Sequence, residues 1–168
     1  MSGVRPYKSF QKLCDPKTDL FLSFNYTETL ESFYGAQHVC HIHGDATQSD
    51  DLIIGHAPID WQGRDDETWF AANQYIKKIY DHFEKDTRGA ISANSDFFAQ
   101  CADVDEIYIY GLSCSNADVP YLKEIFSKAK KNVKVYLNSH EKEERFRQTE
   151  AIGDAGYEGQ ILLMNELA

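Results

Sequence analysis

Residues 106–137, EIYIYGLSCSNADVPYLKEIFSKAKKNVKVYL, determine the fold class. The stretch opens with a run of Ile and Tyr, 106–110, of the kind that strands favour. A helix is predicted from Asp118, because Pro120 suits a first helical turn and apolar residues follow at intervals of three and four. Residues 133–137 are again typical of a strand. A strand, a helix and a strand in this order predict a parallel βαβ unit.

The same alternation continues on both sides of this unit. Further strands are predicted at 20–24, 39–43, 52–54 and 160–164, and further helices at about 27–34, 66–85, 90–101 and 141–152. This order predicts an α/β fold, a mainly parallel sheet of about five strands with helices on both faces. Residues 1–18 are expected to be an irregular lead-in or a short helix, and 19–168 a single domain. The helix at 66–85 is expected to bury one face, formed by Trp69, Ala72, Ile76, Ile79, Tyr80 and Phe83.

The composition argues against several classes of protein. Lys and Arg number 17 against 27 Asp and Glu, a net charge of −10, which disfavours nucleic acid and anionic membranes as partners. No apolar run reaches the roughly 18 residues of a membrane helix, so we expect a cytoplasmic protein without membrane contact. The four cysteines form no C-x-x-C pair, and neither a disulfide framework nor a zinc knuckle is predicted.

Polar residues follow three of the predicted strands at their carboxyl ends, which is where parallel sheets bind ligands. Asn25, Tyr26 and Thr27 follow the first strand, and His43, Gly44 and Asp45 close the second. The strand at 106–110 runs into the loop Gly111–Asp118, which leads into a helix N-terminus. Such a loop suits an anion or a ribose diol, or it only caps the helix.

Asn25 and His43 are the candidates for chemistry. The amide of Asn25 both donates and accepts hydrogen bonds and is suited to orienting a water or a sugar hydroxyl; an Asx turn or a helix cap is the alternative. His43 is a candidate general base, because imidazole titrates near neutral pH, and Gly44 permits a ligand to approach the backbone. A structural histidine is the alternative there.

Two other readings of these loops are weaker. His41, His43 and Asp45 have H-x-H-x-D spacing, but the sequence locates no further ligand, and no metal site is predicted. Cys114 has no specified base and is expected to be structural. Residues 111–115 lack the second Gly of a G-x-S-x-G elbow, which argues against a serine hydrolase.

Three motifs follow one another along the chain: Phe24-Asn25-Tyr26-Thr27-x-Thr29-Leu30-Glu31 with Tyr34-Gly35, then His41-Ile42-His43-Gly44, then Gly111-x-Ser113 with Asp118-x-Pro120-Tyr121. Taken together, they resemble the AbiH-like family of bacterial abortive-infection proteins. The resemblance runs from about residue 19 to the C-terminus. It implies a role in phage defence, in which an infected cell stops growing or dies before phage are released.

The same motifs are more distantly similar to sirtuin-like NAD-binding domains, which are Rossmann-like. That resemblance implies that Asn25 orients a water or the ribose and that His43 is the base in cleavage of the nicotinamide glycosidic bond. NAD or a related nucleotide is the implied cofactor, and the implied binding residues are Tyr26, Thr27, Gly44, Gly111, Ser113 and Asp118. Thr27 stands where sirtuin-like sites place an Asp, and Leu112 where the AbiH-like family typically has a His.

Both groups begin with a strand and a Gly-rich turn that receives the phosphates, and Gly3 is the only Gly before residue 19. We therefore expect an incomplete Rossmann-like architecture without this strand, turn and helix. The expected partner is a second copy in a homodimer or a separate N-terminal half, with a phage or host protein as trigger. The alternative function is a truncated remnant or a non-catalytic interaction module that uses exposed aromatic residues such as Tyr34, Trp61, Trp69 or Tyr157.

Overall fold

The computed structural model describes residues 8–48, 51–58, 70–139 and 141–164. The helices in this part of the chain are α1 (Lys8–Leu13), α2 (Thr29–Tyr34), α3 (Phe70–His82), α4 (Thr87–Ala93), α5 (Ser95–Gln100), α6 (Val119–Lys128) and α7 (Lys142–Asp154). The strands are β1 (Leu20–Ser23), β2 (His38–His41), β3 (Glu106–Ile109), β4 (Lys134–Leu137) and β5 (Ile161–Leu163). The chain divides into two compact units, residues 1–53 and 54–168.

The first unit is built on one parallel pair of strands. β1 and β2 run in register from Leu20 beside His38 to Ser23 beside His41. α2 joins them and ends at Gly35, whose φ of 73° is the left-handed conformation that favours glycine at this position. Glu28 is the N-cap residue of α2 and makes no side-chain cap bond, so neither Thr27 nor Thr29 caps this helix.

α1 belongs to the stretch expected to be an irregular lead-in or a short helix. Residues 8–13 take the helical alternative. The ring of Phe10 in α1 meets the ring of Tyr34 in α2 edge to face, with centroids 4.8 Å apart. This contact anchors α1 to the strand pair's connecting helix.

The second unit is a βαβαβ arrangement. β3, β4 and β5 lie side by side in that order, all parallel. α6 and α7 contact each other, and residues of both helices pack in one core with residues of β3 and β4. The buried core between helices and sheet consists of Ile109, Cys114, Leu122, Val135, Leu137, Ala151, Ile152 and Ala155. On the opposite face, Tyr108 and Tyr136 stack with their ring centroids 4.7 Å apart.

The α/β class and five parallel strands agree with the sequence prediction, but the described strands form two sheets rather than one. The strand predicted at 52–54 does not form. The backbone of Ile53 instead forms hydrogen bonds with the loops after β1 and β2. Its amide donates to the carbonyl of His43, and its carbonyl accepts from the hydroxyl of Tyr26. This segment therefore folds over the loops of the first unit and adds no strand to either sheet.

The helix predicted at 90–101 is two helices. Asp86 is the N-cap residue of α4, and its carboxylate accepts a hydrogen bond from the amide of Gly89, while Asn94 is the C-cap residue. The side-chain amide of Asn94 donates to the carbonyl of Ala90, so this residue closes α4 before α5 starts. Asparagine inside a helical pattern was the available signal for the break.

α3 lies within the range predicted for it. On its described apolar face Ile76 is half-buried, but Ile79 and Tyr80 are exposed. Ile79 is 58% exposed and Phe83, just after the helix, is 52% exposed. Trp69 and the side chain of Ala72, predicted for the same face, lie outside the described residues. Hydrophobic spacing indicates which residues share a face of a helix. Whether that face is buried depends on which other elements pack against it. Among the described residues, no helix is long and apolar enough to cross a bilayer.

Candidate functional site

The register of β1 and β2 brings two predicted site residues to one end of the strand pair. The last residues in register are Ser23 and His41. Asn25 and His43 each lie two residues beyond that last pair. Because the strands are parallel, both residues leave the pair at its carboxyl end, where polar side chains of α/β sheets meet ligands.

Backbone hydrogen bonds hold the two exit loops together. The amide of Ala46 donates to the carbonyl of Tyr26 over 2.8 Å, and the amide of Ile42 donates to the carbonyl of Ser23 over 3.1 Å. The amide of Asn25 donates to the hydroxyl of Ser23 over 3.3 Å. The side chains of Asn25 and Thr27 are exposed, so both are accessible to a ligand.

His43 is buried beneath aromatic rings. It is 2% exposed, its ring lies edge to face with Phe24 at 5.5 Å between centroids, and the ring of Tyr26 lies 6.0 Å away. The hydroxyl of Tyr26 donates to the carbonyl of Ile53 over 2.9 Å, which fixes the tyrosine in this position. In this conformation His43 therefore has almost no contact with solvent.

Gly44 has a structural role that the sequence did not indicate. Its φ is 87°, and a Cβ at this position would lie 2.9 Å from the carbonyl oxygen of Asp51 and 3.1 Å from a methyl group of Leu52. Segment 51–52 of the chain itself fills the direction in which a side chain would project. Glycine is required here by this close approach of the chain, whatever ligand reaches the loop.

Asp45 organises the turn after β2. Its Oδ1 accepts hydrogen bonds from the amide of Thr47 at 2.9 Å and from the Thr47 hydroxyl at 2.8 Å. The backbone bond from Thr47 is the main cause that holds the pKa of the Asp45 carboxyl below its usual range. Asp45 is thus an Asx-type turn residue. The described residues contain no group of three or more His, Cys, Asp or Glu side chains arranged to hold a metal ion.

His41 was considered in the sequence as a metal ligand, and in the structure both of its ring nitrogens lie within hydrogen-bond distance of oxygen atoms. Its Nδ1 lies 3.0 Å from the carbonyl oxygen of Asn25, and its Nε2 lies 2.8 Å from Oε1 of Glu31. The side chain is 10% exposed. The signal in the sequence was positional, since His41 ends β2 beside the strand that leads into Asn25.

In the second unit, the loop after β3 is organised around one carboxylate. Oδ2 of Asp118, a buried residue, accepts from the amide of Ser115 at 2.8 Å, from its hydroxyl at 2.9 Å and from the hydroxyl of Ser113 at 3.4 Å. Gly111 begins the loop with a φ of 64°. Because the carboxylate stands directly before α6, it repels an anion and is suited instead to accepting from a ribose hydroxyl.

Cys114 is unsuited to nucleophilic chemistry. Burial, and then the negative charges of Asp118 and Glu144, raise the pKa of its thiol to about 12. The thiol is therefore protonated at physiological pH, and a protonated thiol is a poor nucleophile. The residue has a φ of 53°, a left-handed conformation that is uncommon outside glycine.

Gln148 in α7 supports the same loop and was not found from the sequence. It is 1% exposed, and its Nε2 donates to the carbonyl of Leu112 over 2.7 Å. The usable signal was its position four residues before the buried Ile152, which places it on the inward face of α7. A polar residue on such a face is expected to bond to backbone or another polar group.

The predicted site residues fall into two sets, one in each compact unit. The structure brings Asn25, Tyr26, Thr27, His43 and Gly44 to the carboxyl end of the β1–β2 pair. It brings Gly111, Ser113 and Asp118 into the loop after β3.

The sequence profile described as bacteriophage abortive infection AbiH matches residues 2–139, well over half of the chain. The chain belongs to this family. The AbiH match includes residues 2–18, which the resemblance left out, and it ends at 139 rather than at the C-terminus. Every predicted site residue lies within it. No curated protein and no solved structure matches the chain significantly. Membership of the AbiH family supports a role in abortive infection.

Proposed function

We propose that the chain contributes to abortive infection by binding NAD or a related nucleotide at the carboxyl end of the β1–β2 pair and hydrolysing its bond to nicotinamide. The observation that supports this most strongly is the strand register, which gives Asn25 and His43 equivalent positions beyond Ser23 and His41. One exposed amide and one imidazole at the same edge are the minimum that water activation beside a ribose needs. The substrate class is part of the proposal and is the one that the resemblance of the motifs to sirtuin-like NAD-binding domains implies.

In the proposed reaction, a water oxygen bonds to C1′ of the nicotinamide ribose while the bond from C1′ to the ring nitrogen breaks. The bonding electrons leave with neutral nicotinamide, and the proton lost by the water passes to His43 and then to solvent. The products are ADP-ribose, nicotinamide and one proton. Asn25 orients the water or a ribose hydroxyl through its exposed amide.

The burial of His43 gives this proposal a specific requirement. We propose that the Tyr26 ring, which lies beside the imidazole and is held by the bond from its hydroxyl to Ile53, moves to give His43 access to water. Ligand binding at the exposed Asn25 is the event proposed to displace the loop. Depletion of NAD after such a trigger would stop the metabolism of an infected cell.

The loop after β3 has the chemistry of a hydroxyl-binding element. Asp118 and Ser113 offer a carboxylate and a hydroxyl, and the carboxylate disfavours direct phosphate binding there. We propose that this loop, within its own unit, binds a sugar diol.

The test is the release of nicotinamide from NAD by the purified full chain, followed by chromatography. Asn25→Ala and His43→Ala are expected to reduce the rate by 100-fold or more, on the order of what a positioned acid–base group contributes. His38→Ala, at the exposed start of β2, is the matched control and is expected to retain the wild-type rate. No release by the wild type, or equal rates for all variants, would contradict the proposal.

A second candidate function is a protein-interaction module. It is favoured by the exposed face that Tyr75, Ile79 and Phe83 form at intervals of four residues along and just after α3, with exposures of 73%, 58% and 52%. The partner proposed for this face is a phage or host protein, or a second copy of the chain. Of the aromatic residues expected to serve this function, Tyr157 packs on Phe126 and Tyr34 on Phe10, while Trp61 and Trp69 lie outside the described residues.

Ile79→Asp separates the two functions. The interaction function predicts that this variant loses phage protection in cells while its NAD hydrolysis stays at the wild-type rate. The nucleotide function predicts that Asn25→Ala loses both and that Ile79→Asp loses neither.

A further inference from the structure

We infer that His41 is a positioning residue that, as an imidazolium, ties the Asn25 loop to α2. The inference rests on the proposed function, because it assigns His41 the task of holding the backbone of the residue that orients the water or the ribose. It adds a role for a side chain outside the predicted set of site residues.

Both ring nitrogens of His41 lie beside hydrogen-bond acceptors. Nδ1 of His41 lies 3.0 Å from a backbone carbonyl, that of Asn25, and Nε2 lies 2.8 Å from a carboxylate oxygen of Glu31. A carbonyl and an ionised carboxylate only accept hydrogen bonds. Both ring nitrogens must therefore carry a proton, and the ring bears a positive charge.

The charges that face His41 favour this protonated form. Glu31 reaches it from α2, and Asp45 acts on it from the turn after β2. Burial by itself lowers the pKa of His41. The hydrogen bonds with the Asn25 carbonyl and with Glu31, together with the two negative charges, outweigh burial and raise the pKa above its ordinary value.

The bond to Asn25 fixes the backbone at the residue that matters most for the proposed chemistry. His41 ends β2, Asn25 follows β1 and Glu31 lies in α2, so one ring joins three elements of the first unit. A neutral ring has one N–H and satisfies only one of the two acceptors. The loop is therefore expected to loosen as the pH rises through the pKa of His41.

Nuclear magnetic resonance of the full chain tests the protonation state directly. Long-range nitrogen–proton correlation spectra report whether both ring nitrogens of His41 are protonated and at which pH the ring titrates. We expect both to be protonated at pH 6.5 and the midpoint to lie above the ordinary histidine value. A singly protonated ring at that pH, or a midpoint at or below the ordinary histidine value, overturns the inference.

Hydrogen exchange tests the positioning. The amide protection factors of residues 25–27 are expected to fall about tenfold in His41→Gln, the effect of losing one charge-assisted hydrogen bond, and to be unchanged in His38→Gln. Equal protection in both variants contradicts the inference. If His41→Gln does not fold, Glu31→Gln supplies the test, since it keeps an acceptor but removes the charge and is expected to lower the titration midpoint of His41.

Activity separates this inference from the proposed function. If the wild type releases nicotinamide, His41→Gln is expected to lower kcat about tenfold and to shift the alkaline limb of the pH profile, and an unchanged kcat and profile overturn the positioning role. If the wild type releases none while the spectra and exchange agree with the expectation, the proposed function fails and the link between His41 and the Asn25 loop stands.

Discussion

The loops that follow β1 and β3 have the same place in their sheets but are held by different chemistry. The loop after β1 is bound through its Asn25 carbonyl to His41, a side chain that titrates. The loop after β3 is bound through its Leu112 carbonyl to Gln148, a neutral amide, and internally through the carboxylate of Asp118. In each case a side chain of a neighbouring element donates to a loop carbonyl.

The difference indicates which loop responds to its surroundings. An amide donates equally well across the physiological range of pH, whereas an imidazolium loses a donor when it loses its proton. The loop after β1 also leads to the exposed Asn25, while the loop after β3 surrounds the buried Cys114. We therefore expect the first loop to be the adjustable one and the second to be rigid.

The largest loss of unfolding free energy is expected for a substitution in the rigid loop after β3. Asp118→Ala removes an acceptor that three donors of Ser113 and Ser115 share, and it is expected to lower the free energy of unfolding by about 3 kcal/mol. Chemical denaturation of the wild type and the variant measures this change. Asp118→Asn, which keeps one acceptor oxygen, is the control and should lose less. A loss below about 0.5 kcal/mol for the alanine variant would show that the carboxylate does not organise the loop.

Replacing a glycine is expected to lower the free energy of unfolding more in the first loop than in the second. Gly44→Ala is expected to cost about 2–3 kcal/mol, because its Cβ would meet the carbonyl of Asp51 at 2.9 Å in addition to the strain of a positive φ. Gly111→Ala is expected to cost about 1 kcal/mol, since nothing lies within 4 Å of its Cβ and only the backbone strain remains. The same denaturation experiment measures both. Equal losses would mean that segment 51–52 moves away from Gly44 without cost.

The contributions of His41 and Gln148 to the free energy of unfolding are expected to depend differently on pH. The folded-state pKa of His41 is raised, so its contribution is fully present below the ordinary histidine pKa and is lost as the pH rises through the folded value. His41→Gln is thus expected to lose about 1 kcal/mol of unfolding free energy at pH 5.5 and much less at pH 8.5. Gln148→Leu should lose about 1–2 kcal/mol at both values. A loss from His41→Gln that stays constant with pH argues against the imidazolium.

The smallest effect concerns thiol reactivity. Cys14, in the first unit, is half-buried, whereas Cys114, in the rigid loop, is buried and has a pKa raised to about 12. Labelling of the native protein with an alkylating reagent should therefore modify Cys14 well before Cys114. Mass spectrometry of the digested protein measures the order. Labelling of Cys114 at the rate of Cys14 would mean that the loop after β3 opens readily.

The sequence predicts the local elements well because local physics determines them. Five of the strands and α2, α3, α6 and α7 lie in or near the expected ranges, since alternation, helical spacing, Pro120 and Gly35 are local signals. The strand prediction at 52–54 is wrong, because Leu52 packs beside Gly44 and the segment pairs with none of the described strands. A short apolar run alone does not distinguish these two outcomes.

The placement of the candidate site residues is predictable from the sequence, and their contacts are less so. Strand-end polarity identifies Asn25 and His43, because parallel strands exit at one edge. The burial of His43 under Tyr26 and the bonds of His41 and Gln148 depend on contacts between residues that are distant in the sequence. The sequence also gives no sign that the strands divide into two sheets, because tertiary contacts between distant residues determine which strands pair.

The most direct test of the nucleotide function is hydrogen exchange of the full chain with and without ADP-ribose, the product that would remain in the site. The account predicts increased protection in residues 24–27 and 43–46, with Asn25→Ala abolishing the change. Protection confined to α3, or no change in any segment at millimolar ligand, would contradict a nucleotide site at the end of the β1–β2 pair.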